Sequence, residues 1–266
     1  MNHYQHNNGK GDLKEGWSLN WGDMVGPGIV RHFSGSNKIY PTLNINGPKL
    51  VTVGSVMGAV RRGDLVWGTG ILRAEMNYPL MGRADIYAVR GRLTSERLEA
   101  LGIKAPRVWG DPALLYPEIY NPEVEVTHRW GIIPHYVDEE NPIIDQLERD
   151  GVKRINICAG EEGFIDQLLS VERVVSSSLH GLVAADAYGI PNARIKLSDG
   201  VIGGDFKFAD YATGTGRKLW SAVPVGEGFN IERLERLQLN DINNFDRDRL
   251  LEAAPWNFEK NKHLFY

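Results

Sequence analysis

Between residues 129 and 197 the chain alternates short β-branched runs with amphipathic ones, and this alternation restricts the fold more than any other feature. "RWGIIPHYV" reads as a strand. "NPIIDQLERDG" reads as a helix, with Pro142 at its start, Ile143, Ile144 and Leu147 on one face and Gly151 at its end. "RINICAG" is the next strand and "GFIDQLLSV" a short helix; "RVVSSS" is a strand again, "LHGLVAADAYG" a helix closed by Gly189 and Pro191, and "ARIKL" a further strand. A β-α-β-α-β-α-β order predicts a parallel sheet with helices on its faces.

The first half repeats the rhythm more loosely. "KLVTVGSV", "DLVWGTGI", "DIYAVRG" and "RVWGDPALL" are short buried-strand patterns, and "TSERLEALG" is a helix with Thr94 or Ser95 as its N-cap and Gly102 as its stop. The proline-bearing segment "PEIYNPEVEVTHR" breaks the pattern, so a domain junction is expected there, dividing the chain into 1–122 and 123–266. Two α/β units facing each other leave a cleft at the carboxyl ends of their strands, where ligands bind. After Ser198, "DGVIGGDFKFADYATGTG" reads as a glycine-rich loop, and the tail as one or two helices.

A chain of 266 residues can bury the core that such a fold needs. Its net charge of −4 argues against general nucleic-acid binding. A single cysteine, Cys158, excludes an intramolecular disulfide and a cysteine-rich zinc site, and the scattered histidines form no metal motif. The polar start lacks the apolar core of a signal peptide, and no apolar run approaches the ~18 residues of a membrane span, so the expected location is cytoplasmic, with room for peripheral association at the inner face of a membrane.

Several strand ends carry residues suited to chemistry. In "SSSLHG", Ser177, Ser178, Leu179 and His180 lie where a strand meets a helix N-terminus, whose free N–H groups attract anions. His180 is either a general acid or phosphate contact, or an incidental residue of a capping segment. In "NWGD", Asn20 and Asp23 precede a helix-compatible run, and Asp23 is either a helix cap or a carboxylate that takes a proton from a hydroxyl. Gly68 in "VWGTGI" marks a tight turn. Arg90 and Arg92 in "VRGRLT" are candidates for gripping an anion, or for a surface salt bridge. Asp111 in "GDPALL" is a turn residue or a base, and His135 in "IPHY" falls on the same rim. Trp17, Trp21, Trp67 and Trp109 lie near these motifs; stacking on a sugar and ordinary packing are the two readings open to them.

In order and spacing, "NWGD", "WGTG", "VRGRLT", "GDPALL", "IPHY" and "SSSLHGLVAADAYGIPN" resemble the polysaccharide pyruvyl transferase family, over about Asn20 to Asn192. The resemblance implies two Rossmann-like parallel-sheet domains facing a cleft in the GT-B manner, the first on the acceptor side and the second on the donor side. It implies transfer of pyruvate from phosphoenolpyruvate, as co-substrate and without cofactor or metal, onto two hydroxyls of a hexose in an exopolysaccharide or its lipid-linked precursor, giving a cyclic ketal. On that footing His180, Asp23 and Asp111 are the catalytic candidates. Arg90, Ser177, Ser178, Leu179 and His180 hold the donor, and Asn20, Gly68, Arg92 and His135 complete the rim. Family members often carry Arg-Leu-His where this chain has Ser178-Leu179-His180, so either another cation stands in or the donor is bound differently. The polar residues 1–16 replace an apolar strand of larger members, which predicts an abbreviated first domain. A glycosyltransferase using a nucleotide sugar, or a non-catalytic saccharide-binding relative, are the competing readings.

Overall fold

The computed structural model describes residues 1–4, 20–42, 47–76, 84–218, 221–240, 242 and 244–257. Trp17 and most of the polar N-terminal stretch lie outside the described residues. The chain forms two five-stranded sheets in which every strand pair is parallel. The first holds β1 (Asn2–Tyr4), β2 (Tyr40–Thr42), β3 (Leu50–Val51), β4 (Leu65–Trp67) and β5 (Asp85–Ala88), in the order β2-β1-β3-β4-β5. The second holds β6 (His128–Ile133), β7 (Lys153–Arg154), β8 (Val171–Ser176), β9 (Asn192–Lys196) and β10 (Val223–Pro224), in the order β10-β9-β8-β6-β7. Counted from its own first strand, each sheet runs 2-1-3-4-5. The strand order therefore reverses between β1 and β3 in one sheet and between β6 and β8 in the other, and such a reversal opens a crevice beyond the strand ends.

The abbreviated first sheet expected from the polar N-terminus is corrected in one respect: β1 is present and internal. A polar strand can sit there because His3, buried under the first helix, pairs its Nε2 with Thr52 Oγ1 at 2.6 Å.

Helices α1 (Trp21–Ser34), α2 (Arg92–Ala100), α3 (Pro142–Arg149), α4 (Glu161–Leu169) and α5 (Leu179–Ala187) follow the sequence pattern closely. Asn141 caps α3 by accepting from the Ile143 amide at 3.1 Å, and Pro142 occupies its first turn. The N-cap of α2 is Gly91 rather than Thr94 or Ser95, because both are drawn into the helix and the Thr94 hydroxyl is turned onto Asp210 at 2.7 Å. The glycine-rich loop expected after Ser198 is corrected: Gly203 and Gly204 end a turn, and α6 (Phe206–Thr215) follows, burying Lys207, Phe208, Asp210, Tyr211 and Ala212. The tail supplies α7 (Ile231–Glu235) and α8 (Arg247–Glu252).

The largest apolar cluster runs without a break from Leu50, Trp67 and Ala88 beside the first sheet to Ile133, Phe164 and Val174 beside the second. Helix α1 packs on both halves: Gly26 lies over His3 and Thr52, while the Trp21 amide donates to Ile157 O at 2.8 Å and its indole packs on Tyr116 and Phe164. Helix α8 returns the other way, with Trp67 Nε1 donating to Leu250 O at 2.8 Å and Trp256 edge-on to Trp67. Trp109 donates to Ser95 Oγ, so Trp21, Trp67 and Trp109 are packing residues.

Candidate active site

A cavity of about 450 Å³ opens where the two strand-order reversals meet. Asn20 and Asp23, after β1, and Ser55 and Val56, after β3, line one wall; His135 and Tyr136, after β6, and Ser178, Leu179 and His180, after β8, line the other. Lys207 at the start of α6 completes the floor, and Arg61, Leu72, Met76 and Ile202 stand around the first-sheet side and the mouth.

His180 occupies the second position of α5. Its ring lies so close to α1 that a Cβ at Gly22 would fall 1.9 Å from His180 Nδ1, so the glycine of "NWGD" is the seat of the imidazole. His180 Nε2 is buried and has no hydrogen-bond partner among the described residues. Burial first, then the charges of Arg90 and Lys207 and the neighbouring His135, hold its pKa down at about 3, so the ring is neutral near pH 7. Asp23 sits in the first turn of α1. Burial pushes its carboxyl up to about 7, against the Asn20 amide that donates to it and the charge of Lys207. Asn20 Oδ1 is itself buried without a partner.

Lys207 is 6 % exposed and no acidic side chain pairs with it among the described residues. Burial and the charges of Arg90 and Arg194 bring its ammonium down to about 8, while Asp23 supports it. It is therefore mostly protonated at neutral pH and faces the open space with no fixed counter-ion. His135 is held near 4 by burial and by Lys207. Its Nδ1 accepts from the Val137 amide at 3.3 Å, so the neutral ring carries its proton on Nε2. The His135 amide donates to Ser177 Oγ, and that hydroxyl donates to Asp138, which fixes the loop after β6 to the end of β8.

Of the residues expected from the sequence, Asn20, Asp23, His135, Ser178, Leu179 and His180 come together at the cavity. Five do not. Ser177 turns away to Asp138. Arg90 has none of its surface exposed: Nε donates to Asp210 at 2.9 Å, Nη1 to Ser55 Oγ at 2.5 Å and Nη2 to Ile71 O at 2.9 Å. It reaches the cavity only through Ser55 and as a charge felt by His180 and Lys207, because α6 brings Asp210 onto it. Arg92 is exposed and pairs with Glu96. Asp111 is buried away from the cavity; Oδ1 caps the 3₁₀ segment Pro112–Glu118 by accepting from the Ala113 amide, and burial pushes its carboxyl up to about 6. Gly68 holds a left-handed turn against Pro112, where a Cβ would fall 2.2 Å from Pro112 Cδ.

Lys207, Ser55 and Arg61 are the polar side chains of the cavity that sequence reasoning did not single out. The signal for Lys207 was a lysine set between Phe206 and Phe208, two apolar residues of a helix read as a loop.

A family model described as polysaccharide pyruvyl transferase matches residues 65–198, just over half of the chain. The chain belongs to the polysaccharide pyruvyl transferase family. The match runs from β4 to just beyond β9, so it contains His135 and His180 but neither Asp23 nor Lys207. Among curated proteins, the chain is 33% identical over 178 residues to the uncharacterized protein L143 of Acanthamoeba polyphaga mimivirus, a stretch covering 64% of this chain and 61% of that protein. The chain thus spans less than two thirds of that relative's length. No solved structure matches. Among the described residues no cluster of acidic, histidine or cysteine side chains suits a metal ion, and no helix is long and apolar enough to cross a membrane.

Proposed function

We propose that this protein transfers the pyruvyl group of phosphoenolpyruvate onto two hydroxyls of a hexose, in a cleft of the GT-B type formed by residues 1–122 and 123–266. The observation that supports it most is Lys207, a buried ammonium without an acidic partner among the described residues, placed in one cavity with Nε2 of His180 and the start of α5. A small polyanion fits that set. The ammonium and the first N–H groups of α5 answer its charge, and Ser178, the N-cap, makes no side-chain capping bond of its own. Lys207 is then the cation that stands in for the arginine of the Arg-Leu-His motif.

The reaction needs proton traffic that these groups can carry. C3 of the donor gains a proton, C2 acquires oxocarbenium character, one hydroxyl adds, phosphate leaves with the C–O bond pair, and the second hydroxyl closes the ketal. Two hydroxyl protons are released; one balances the proton gained by C3 and the other leaves on phosphate. Asp23, close to half protonated at pH 7, is suited to give one proton and take the next. His180, neutral when the cavity is empty, donates a hydrogen bond to the phosphate and gains proton affinity beside that anion. The acceptor lies on the first-sheet side. No resident cofactor has a step in this scheme.

The test is phosphate release by purified protein given phosphoenolpyruvate with a panel of saccharides, together with a mass gain of one pyruvyl ketal on the acceptor. Release should require both substrates and fall at least about tenfold in Lys207→Ala, the loss expected for one charge-assisted contact. Lys207→Arg should retain part of it. Turnover of a nucleotide sugar instead would establish the glycosyltransferase reading, and binding of saccharide without any turnover the non-catalytic one.

A further inference from the structure

The cavity has a second cation, contributed by the first half of the chain. Arg61 follows the short 3₁₀ turn Met57–Ala59 that leaves β3. Its Nη1 donates to two carbonyls of its own loop, Gly58 O at 2.7 Å and Val60 O at 2.9 Å, and its amide is held by Asp64 Oδ2 at 2.7 Å. These bonds hold the guanidinium on neutral carbonyls, and among the described residues no carboxylate pairs with it: Asp64, which accepts from its amide, pairs with Lys49 at 2.5 Å. A guanidinium has five N–H donors in a planar fork, so donors remain for a ligand.

Arg61 enters the cavity from the loop after β3 in the first half, whereas His180 and Lys207 enter it from the starts of α5 and α6 in the second. The other cavity side chains from residues 56–76 are apolar, Val56, Ala59, Leu72 and Met76; of the polar groups on the same wall, the Ser55 hydroxyl accepts from Arg90 and the Asn20 amide donates to Asp23. A neutral, fully hydroxylated sugar finds few unengaged partners beside Arg61.

We infer that Arg61 reads an anionic group on the acceptor: the saccharide this cavity takes carries a phosphate or a carboxylate beside the ring that is modified. The inference rests on the pyruvyl-transfer reading and narrows its acceptor class. One charge-assisted fork beside apolar side chains separates charged from neutral acceptors, because a neutral one leaves the guanidinium without its partner. Lys207 and Arg61 then divide the substrates, one cation to each.

The experiment compares three acceptors built on the same hexose: the methyl glycoside, the 1-phosphate and the corresponding methyl hexuronoside. Initial rates with phosphoenolpyruvate are measured for the wild type, Arg61→Gln and Arg61→Lys. The wild type should prefer at least one charged acceptor over the neutral one in kcat/KM, and which of the two it prefers identifies the anion. Arg61→Gln should reduce that preference about tenfold or more, and Arg61→Lys should restore part of it. Equal use of charged and neutral acceptors by the wild type overturns the inference, as does a raised KM for phosphoenolpyruvate in Arg61→Gln with the acceptor preference intact. Calorimetric binding of the hexose 1-phosphate separates the two levels. If nothing turns over but binding survives Lys207→Ala and is lost in Arg61→Gln, the pyruvyl reading fails and the anion site at Arg61 stands. Binding lost in Lys207→Ala and kept in Arg61→Gln removes the anion site.

Discussion

Asp23 ties the proposed chemistry to a cost in stability. Its carboxyl titrates at about 7 in the folded chain against 3.8 when free, chiefly because burial disfavours the charge. Between those two values the folded state holds a proton that the unfolded state has released, so stability falls as pH rises through this window. The full penalty, on the order of a few kcal/mol, is reached above pH 7 and is absent below pH 4. Asp23→Asn should therefore raise the denaturation midpoint at pH 8 and leave it nearly unchanged at pH 4. Equal midpoint shifts at both pH values would show that the carboxyl is not strained by burial. The "NWGD" and "SSSLHG" stretches announced Asn20, Asp23, Ser178 and His180 because their polar residues sit at strand-to-helix junctions, which a one-dimensional pattern can locate. Arg90 and Asp111 sit at such junctions as well and yet are buried. For Arg90, what decides between cavity and interior is a helix some 120 residues away, and no local pattern contains it.

That helix is α6. It packs on α2 and brings Asp210 onto Arg90 and onto the Thr94 amide and hydroxyl, each at 2.7 to 2.9 Å, while one turn earlier it sets Lys207 into the cavity. Gly91 is required by the same crossing, since a Cβ there would fall 1.8 Å from Asp210 O. "VRGRLT" is thus a docking site for α6, and its arginine is an anchor. Removing the acid alone strands a buried guanidinium, so Asp210→Ala should destabilise the protein by about 3–5 kcal/mol in urea unfolding. The double change Arg90→Met with Asp210→Leu should recover part of that loss, because a matched apolar pair replaces a matched ionic one. A cost for Asp210→Ala within 0.5 kcal/mol, the scale of ordinary surface substitutions, would mean the pair does not hold α6. In the sequence α6 is hidden by the glycines on both sides of it and by a lysine and an aspartate on its buried face. Its burial is satisfied by partners in the other half of the chain, which a pattern of local hydrophobicity cannot register.

At the level of the whole molecule, the parallel alternation was readable in the second half, where strands β6, β8 and β9 are five or six residues long, and weaker in the first, where strands are two to four. What the sequence could not display is the exchange of helices. Helix α1 belongs by connection to the first sheet but buries Trp21, Val25 and Ile29 in the cluster shared with the second, and α8 belongs to the second half but places Leu250, with Trp256 just beyond its end, against Trp67 of the first. The irregular stretch 121–127 that joins the halves has almost no share in that core. A break in it should therefore leave the molecule assembled. If a protease site is inserted within 121–127 and cleaved, the two fragments should elute together in native buffer and separate only in denaturant. They should also unfold in a single transition, because neither can withdraw without exposing the other's core. Two folded fragments that part in native buffer would instead show that each half closes its own core. The cavity would then be a gap between independent bodies, free to widen, in place of one whose two walls are held at fixed spacing by α1, α6 and α8.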